Sequence, residues 1–331
     1  QSFHNLGTKQ DSFLSCDLLK PRATFSAKNF KTTIQQLVVI HNYKKLIRMY
    51  KRGELSGLSL QQALQHCPAL QKDYLKLAIF PLCVMTSMLW SELMQAPAEF
   101  VIGKIERQMG TVFKFASWRL YPCKSREYVN RLAAPYKDKI RLNANIKAVV
   151  RDVASVVLVM QNGTEGRFDK VIFACPADVA LALLAKPSAN EQRLLAPWRY
   201  KEGPVVVHTD HTHYPPEDYW AMYSYLYSEK AGAINTSINA HYRFQNGVPD
   251  TSAYIGCQHP NIDIALDKIE FQKVFRTPIY DSHSTPTIAE LPSLNGQNRT
   301  YFCGAHFGYG LHEDAVSSAI QVSRALGASW S

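Results

Sequence analysis

At 331 residues the chain is long enough to bury a sizeable core, and its length predicts two domains. Hydrophobic residues make up 46% and charged residues 19%, which is typical of a globular protein and excludes an intrinsically disordered one. An excess of 37 basic over 27 acidic side chains gives a formal charge of +10, which favours anionic partners but is also common on soluble proteins.

The seven cysteines are scattered along the chain, with no CxxC pair and no spacing typical of a zinc site. An odd, scattered set is typical of reduced thiols, so the cysteines predict a cytoplasmic protein in which they pack as small apolar side chains. The first residues, Gln1 to His4, contain neither an initiator methionine nor a signal peptide, which indicates that the sequence starts inside a longer polypeptide.

Helices are predicted from about residue 30 to residue 108. Apolar residues from Ile34 to Tyr50 keep the three-and-four spacing of an amphipathic helix, and Gly53 ends that pattern. Ser59 is a candidate helix cap. Pro81 interrupts the most apolar stretch, residues 75–93, which we interpret as a buried helix pair.

The outer face of the first predicted helix is basic, because Lys44, Lys45, Arg48, Lys51 and Arg52 lie between its apolar residues. A solvated helix face is the default interpretation. Weak peripheral contact with an anionic membrane is the second, and it would suit a lipid-like substrate. Nucleic acid is not an expected partner, because no binding motif with interleaved aromatic residues accompanies the charges.

From Lys139 onward the apolar period changes to two, which predicts strands. The first group covers residues 140–142, 146–150, 156–160 and 168–175, with a tight turn at Asn162-Gly163. The second group covers residues 205–209, 220–227, 233–240 and 253–257. The chain closes with a strand at 300–303, a loop that contains Gly304, Gly308 and Gly310, and a helix at 314–326.

The strand, glycine-rich loop and helix over residues 301–319 form the most informative pattern. Glycines let a backbone approach a ligand without a Cβ atom between them. The start of a helix exposes unpaired N–H groups that bind carbonyl or anionic oxygens. The pattern therefore indicates a site where backbone meets a flat or phosphorylated ligand, with a tight structural turn as the equal alternative.

Further segments in the same order make the pattern more specific. Residues 141–151 (RLNANIKAVVR), 168–178 (FDKVIFACPAD), 204–210 with 220–225, and 304–318 together resemble the flavin amine oxidase superfamily. Within it they are similar to the bacterial branch of predicted FAD/NAD-binding amine oxidoreductases. Shorter likenesses near Trp90, Pro97 and Trp118 keep the family's order, so the resemblance covers nearly the whole chain.

The resemblance implies a mixed α/β, amine-oxidase-like fold of two domains. It assigns residues 1–10, 122–200 and 290–331 to an FAD-binding domain. It assigns residues 11–121 and 201–289 to a substrate domain with a helical part and a β-sheet. The residues that the resemblance implies as FAD contacts are Ile146, Ala174, Cys175, Pro176, Gly304, Ala305, Gly310, His312, Glu313, Asp314, Ala315 and Val316.

Departures from the family pattern bear on the cofactor. No GxGxxG turn occurs in the sequence, so the Rossmann-type dinucleotide-binding domain is expected to be truncated and to bind FAD poorly by itself. Cys123-Lys124 stands where the family has two glycines. Ala315 stands where the family has glycine at the start of the last helix, and its methyl group is expected to crowd the flavin.

A flavin accepts the hydride itself, so the protein need not supply a nucleophile or an acid–base pair, and we identify none in the sequence. The candidate catalytic residues are His306 and His312, as proton carriers beside the loop, and Tyr223 and Tyr225, as walls of a substrate pocket. The acidic residues 313 and 314 are more readily explained as helix caps than as catalytic groups.

Three histidines, His208, His211 and His213, raise the question of a metal site. Along a strand the first two point to opposite faces, and no acidic or cysteine ligand pattern joins them. We therefore predict no metal site.

The leading hypothesis is a FAD-dependent oxidoreductase of amine-oxidase type that transfers a hydride from a small or lipid-like substrate to flavin, provided that the missing unit is supplied. The main alternative is a non-catalytic fragment or pseudoenzyme that keeps the fold as a binding or assembly module. A third hypothesis is a membrane-peripheral protein that uses the basic helix. The sequence leaves the substrate, the electron acceptor and the oligomeric state open.

Overall fold

The computed structural model describes residues 2–9, 11–13, 27–70, 73–112, 125–230, 233–244 and 253–329. The chain divides into two units. The first unit comprises residues 1–133 and 202–277, and the second comprises residues 134–201 and 278–331.

The helical part of the first unit is built from apolar, amphipathic segments. Its helices are α1 (Ala27–Lys51), α2 (Leu60–Gln65), α3 (Asp73–Thr86), α4 (Trp90–Gln95), α5 (Ala98–Val112) and α6 (Ser125–Ala133). Within the described ranges, no helix combines the length and the apolar character needed to cross a bilayer.

Local signals set some of the helix ends. Ser59 caps α2, because its Oγ accepts a hydrogen bond from the Gln62 amide at 3.2 Å while Gln62 Oε1 accepts one from the Ser59 amide at 2.8 Å. The predicted interruption at Pro81 is wrong, since α3 runs through this residue and ends before Ser87, whose φ is 55°. The single amide bond lost at Pro81 is offset by packing of neighbours such as Phe80, which is fully buried.

A seven-stranded sheet forms the rest of the first unit. Its strands, in spatial order, are β11 (Ile269–Pro278), β7 (Tyr200–His208), β10 (Ile255–Gln258), β9 (Ala233–His241), β8 (Tyr223–Lys230), β1 (Ser2–Asn5) and β2 (Asp11–Phe13). Neighbouring strands are antiparallel from β8 through β9 and β10 to β7. This arrangement is typical of a sheet with one solvated side.

The first strand differs from the expected domain assignment. The resemblance assigned residues 1–10 to the FAD-binding domain, whereas β1 lies parallel to β8 in the sheet of the first unit, with Ser2 opposite Ser224. The division also places residues 122–133 in the first unit and 278–289 in the second. Ser2 and Ser224 are 222 positions apart, so the residues of β1 alone do not predict which strand β1 pairs with.

Stacked aromatic rings join the sheet to α3 in the core of the first unit. Tyr225 has no exposed surface, and its ring stacks on Phe3 at 5.2 Å and on Phe80 at 5.6 Å between centroids. Trp90 meets Phe80 edge-on at 5.4 Å. Burial of such rings dominates the apolar area removed from water, so this cluster anchors the helices on the sheet.

The second unit contains two small sheets and short helices. β3 (Ile146–Arg151), β4 (Val156–Met160) and β5 (Glu165–Phe168) form an antiparallel sheet in that order, and β6 (Val171–Phe173) pairs parallel with β12 (Thr300–Phe302). Its α-helices are α7 (Ala177–Leu183), α8 (Ala189–Leu195) and α9 (His312–Ala325). The 3₁₀ helices of the two units are Pro68–Leu70, Ala134–Lys139, Glu217–Tyr219, Tyr242–Phe244, Leu266–Lys268, Thr285–Ala289, Leu291–Leu294, Gln297–Arg299 and Ala305–Phe307.

The predicted turn at Asn162-Gly163 is confirmed, since Gly163 has a φ of 82° and the Met160 amide donates to the Thr164 carbonyl at 2.9 Å. The predicted strand at 140–142 is wrong. Leu142 lies in a turn and is 82% exposed, so its apolar alternation has no neighbouring strand to cover it. The predicted strand at 168–175 is divided into the end of β5 and the shorter β6.

Candidate functional site

Two of the predicted site segments meet at one edge of the parallel pair. Thr300 lies opposite Val171 and Phe302 opposite Phe173, and the Cys303 amide donates to the Phe173 carbonyl at 3.0 Å. Because the carboxyl ends of parallel strands share an edge, residues 174–176 and the loop from residue 304 leave the strands side by side. We call this place the carboxyl edge of β6 and β12.

The glycines of the loop are explained by its own packing. A Cβ atom on Gly310, whose φ is 79°, would overlap the Tyr280 hydroxyl, and one on Gly308 would overlap the Asp314 carboxylate. On Gly304 it would lie 2.9 Å from His306 Nδ1. The tight structural turn, one of the two interpretations left open by the sequence, therefore accounts for these glycines without a ligand.

Asp314 closes the loop onto the last helix. It is buried, and its Oδ2 accepts hydrogen bonds from the Tyr309 amide at 3.0 Å and the Leu311 amide at 2.9 Å. The bond to Leu311, the N-cap of α9, is the capping interaction expected of an acidic residue in the first turn. This carboxylate is thus directed at its own loop.

Ser318 ties the same loop to the helix. Its Oγ accepts from the Gly304 amide at 3.0 Å and donates to the Ala315 carbonyl at 2.9 Å. The sequence analysis did not single out Ser318, although its spacing of four residues from Asp314 places both on one helix face. Tyr280 and Tyr200 were also missed, the latter accepting a hydrogen bond from the Ala177 amide at 2.9 Å.

The start of α9 remains accessible. His312 and Glu313 are exposed, and Val316 is 47% exposed on the following turn. In the part of the chain that the structure describes, nothing accepts a hydrogen bond from the amides of His312 or Glu313. Ala174 at the end of β6 is also exposed, so the carboxyl edge offers free N–H groups beside apolar surface.

The other predicted FAD contacts line the same segments or lie elsewhere in the second unit. Cys175, Pro176, Ala305 and Ala315 are half-buried in the two segments that meet at the carboxyl edge. Ile146 is half-buried at the start of β3, in the three-stranded sheet, where a bulge separates it from Ala148.

The two candidate proton carriers differ in environment. His306 is buried against Trp198 at 5.5 Å and Phe307 at 5.0 Å between ring centroids, and burial lowers its pKa to about 4. Burial therefore favours its neutral form near pH 7, and its role as a proton carrier stays a prediction. His312 is exposed at the helix start.

The candidate tyrosines lie on β8 in the first unit. Tyr225 is fully buried in the aromatic core described above, and burial raises the pKa of its hydroxyl well above the ordinary value. Tyr223 is half-buried on the same face of the strand. Tyr225 thus serves the core, while Tyr223 remains the more accessible of the two.

Two of the three histidines considered as metal ligands, His208 and His211, have hydrogen-bond partners within the protein. His208 is buried, with its Nε2 3.2 Å from the Tyr214 hydroxyl and its Nδ1 accepting from the Asp210 amide at 3.2 Å. His211 Nε2 bonds the Ala253 carbonyl at 2.8 Å. A group of three or more potential metal ligands is not found among the residues that the structure describes.

A buried row of polar side chains in the first unit was not foreseen. Ser224 Oγ lies 2.7 Å from His241 Nε2, and Asn239 Oδ1 accepts from the Tyr214 hydroxyl at 2.7 Å. Burial lowers the pKa of His241 to about 3, so the row is uncharged at neutral pH. This row could have been predicted from the sequence, because β9 has a polar residue at every second position and such residues share one face of a strand.

Known proteins resemble this chain in sequence and in fold. The family described as flavin containing amine oxidoreductase matches residues 90–216. No curated protein matches the chain. Among solved structures, a putrescine oxidase with bound putrescine has a TM-score of 0.66 at 9% identity, over 98% of this chain and 80% of that one.

Two further solved structures cover nearly the whole chain. Cyclohexylamine oxidase from Brevibacterium oxydans has a TM-score of 0.63 at 10% identity, over 99% of this chain and 81% of that one. A fatty acid isomerase from P. acnes has a TM-score of 0.61 at 11% identity, over 99% and 79%. The flavin containing amine oxidoreductase model therefore matches part of this chain, and the solved structures share its mixed α/β fold over nearly its whole length.

Proposed function

We propose that the chain is a FAD-dependent oxidoreductase of the amine-oxidase type that removes a hydride from a small or lipid-like substrate. The observation that carries the proposal is the accessible start of α9, where the amides of His312 and Glu313 donate to no acceptor among the described residues. Such amides bind carbonyl and anionic oxygens.

The residues at this edge fit a flavin. Its ring and side chain present carbonyl and hydroxyl oxygens, and the available protein groups are neutral N–H donors at the start of α9, with Val316 exposed on the following turn. When bound, flavin supplies the hydride acceptor. The chain's own part is to hold that group through the amides at the start of α9 and to keep the loop rigid through Asp314 and Ser318.

The proposed substrate class rests on the similar solved proteins. Two of them are oxidases of putrescine and of cyclohexylamine, and the third is a fatty acid isomerase. Amines and lipids are therefore the two substrate classes to screen. The competing function is a non-catalytic binding or assembly module, and flavin content separates it from an oxidoreductase.

Titration of FAD with the purified chain is expected to shift the visible absorption bands of the flavin, with weak affinity because no GxGxxG turn holds the pyrophosphate. His312→Pro is expected to weaken FAD binding about three- to tenfold, because it removes one N–H donor. Proline is tolerated at the first helical position, and Leu311 before it is already extended, so α9 should remain intact.

His312→Ala is the matched control, since it removes the imidazole and keeps the amide; its FAD affinity should equal that of the parent chain. Helix content by circular dichroism should be the same for both variants. A flavin spectrum that the chain leaves unshifted would contradict the oxidoreductase proposal, and equal affinities of the two variants would remove the helix start from the site.

We further propose that α1 contacts an anionic membrane surface. One face of this helix exposes Ile34 and Leu37, which is 62% exposed, followed at the same three-and-four spacing by basic side chains. Exposed apolar residues beside a basic face are typical of helices that lie in the membrane interface. The exposed residues of this face are Ile34, Leu37, His41, Lys44, Arg48 and Lys51.

The chain is expected to sediment together with vesicles of phosphatidylcholine and phosphatidylserine. It is not expected to sediment with vesicles of phosphatidylcholine alone. Each basic residue near an anionic surface contributes about 1 kcal/mol, so Lys44→Gln with Arg48→Gln should lower binding about tenfold or more. Lys137→Gln with Lys139→Gln removes two equally exposed charges from the second unit and should change it little. If the two double variants lose vesicle binding equally, the binding reflects the net charge of the chain and not the face of α1, which would contradict the proposal.

A further inference from the structure

A groove of about 610 Å³ lies in the second unit, at the amino-terminal end of β12. The proposed flavin edge follows the opposite end of this strand, so the groove is a separate feature. Three of its lining residues carry positive charge. The lining consists of Arg151, Asp152, Val153, Lys186, Ser188, Asn298 and Arg299.

Arg299 is held in the groove by main-chain oxygens. Its Nε and Nη2 donate to the Val153 carbonyl at 3.0 and 2.8 Å, and its Nη1 donates to the Asp169 carbonyl at 3.3 Å. No carboxylate among the described residues bonds it, whereas Arg193 and Arg199 of the same unit each pair with one. A guanidinium has five N–H donors, so Arg299 is a positioned cation with donors to spare.

The backbone that presents Arg299 is strained. Asn298 and Arg299 both have left-handed φ angles, 48° and 59°. A left-handed conformation costs a residue other than glycine about 1–2 kcal/mol. Such backbone strain is concentrated at sites that hold ligands. The conformation sets the side chains of both residues in the groove lining.

The remaining charges leave the groove positive. Lys186 is exposed and has no ion pair among the described residues, while Arg151 is neutralised by the buried Glu191. The Asp152 carboxylate accepts from the Ser155 amide at 2.6 Å and the Ala154 amide at 2.7 Å, and these bonds lower its pKa. Its charge is thus directed into its own turn.

We propose that this groove binds a phosphate-class oxyanion, either free or carried by a small hydrophilic molecule. Arg299 would bind the oxyanion with its spare donors, Lys186 would supply a second charge, and Ser188 and Asn298 would add neutral polar groups. Arginine suits this chemistry because its planar donors match the oxygens of phosphate. The described lining contains no aromatic side chain, so recognition rests on the phosphate group and not on a nucleobase.

Calorimetric titration of the chain with pyrophosphate tests the site. One saturable site per chain is expected, with an affinity that falls as salt is added. Arg299→Gln should weaken binding about tenfold or more, the effect of losing a charge-assisted hydrogen bond. Lys186→Gln, at an exposed position, should weaken it severalfold.

Arg324→Gln is the matched control, because it removes an exposed cation of the same unit that lies outside the groove lining. Its affinity should stay within about twofold of the parent chain. Repeating the titration with a sugar phosphate and with inorganic phosphate separates a carried phosphate from a free one, because the sugar phosphate binds more tightly only if the groove also holds the carrier. Absence of saturable binding, or parental affinity in Lys186→Gln, would overturn the proposal.

Discussion

Replacing Glu191 with glutamine is expected to lower the free energy of unfolding by about 3–5 kcal/mol, because it leaves a buried arginine without its counter-charge. The side chains of Arg151 and Glu191 are 7% and 2% exposed, and Arg151 Nη2 donates to Glu191 Oε2 at 2.9 Å. Arg151 also donates to Thr300 Oγ1 at 3.0 Å, so the pair links β3, α8 and β12. Urea unfolding measures the loss.

The same pair predicts the sign of the pH dependence. Burial raises the pKa of Glu191, but the bonds from Arg151 and Ser188 outweigh it, and the folded-state pKa lies below the ordinary value. The stabilisation is therefore complete above the unfolded pKa of about 4.3 and is lost as the pH falls through the folded value. The difference between parent and Glu191→Gln should shrink over that acidic range.

Glu290→Gln is the matched control. Arg193 and Glu290 form a pair at 2.8 Å, but their side chains are 52% and 53% exposed. Solvent screens such a pair, so this substitution should destabilise the chain far less than Glu191→Gln. Equal losses for Glu191→Gln and Glu290→Gln would contradict the role of burial in this argument.

Gly310→Ala is expected to destabilise the chain by about 2–4 kcal/mol, through left-handed strain and overpacking together. Gly310 has a φ of 79°, and the added methyl group would overlap the hydroxyl of Tyr280, which is buried against Trp198. Thermal and urea unfolding measure the loss. The loop at the carboxyl edge should also lose FAD affinity, because Asp314 and Ser318 fix it from either side.

Two variants separate the causes. Gly163→Ala has a similar φ of 82° but meets no atom within 4 Å, so it should show the backbone cost alone, about 1 kcal/mol. Adding Tyr280→Phe to Gly310→Ala removes the overlapping oxygen and should restore part of the stability. If the two alanine variants lose the same amount, the overlap with Tyr280 contributes nothing.

Much of the local structure was predictable because its causes lie within a few residues. The cap at Ser59 and the turn at Asn162-Gly163 need only side chains and backbone bonds of near neighbours. The last helix, predicted at 314–326 and found as His312–Ala325, follows from its spacing and its acidic first turn. The order of strand, glycine-rich loop and helix over residues 301–319 likewise predicted one of the two segments that meet at the carboxyl edge.

Errors occurred where distant residues decide. α3 continues through Pro81 because packing outweighs one lost hydrogen bond, and the apolar alternation near Leu142 stays exposed because no strand covers it. His306 is a neutral side chain of the core because Trp198, more than a hundred positions earlier, helps to bury it. None of these outcomes follows from the nearest residues.

The sequence by itself predicted the mixed α/β fold class and the segments that we propose to hold a flavin, because backbone patterns and turn chemistry are local properties. Only the tertiary structure decided that the loop glycines serve Tyr280 and Asp314, that Glu191 neutralises Arg151, and that Arg299 stands as a positioned cation. Each of these depends on burial and on pairings between residues far apart in the chain. Those contacts set the energies, since a charge or a methyl group costs little in water and much in a packed interior.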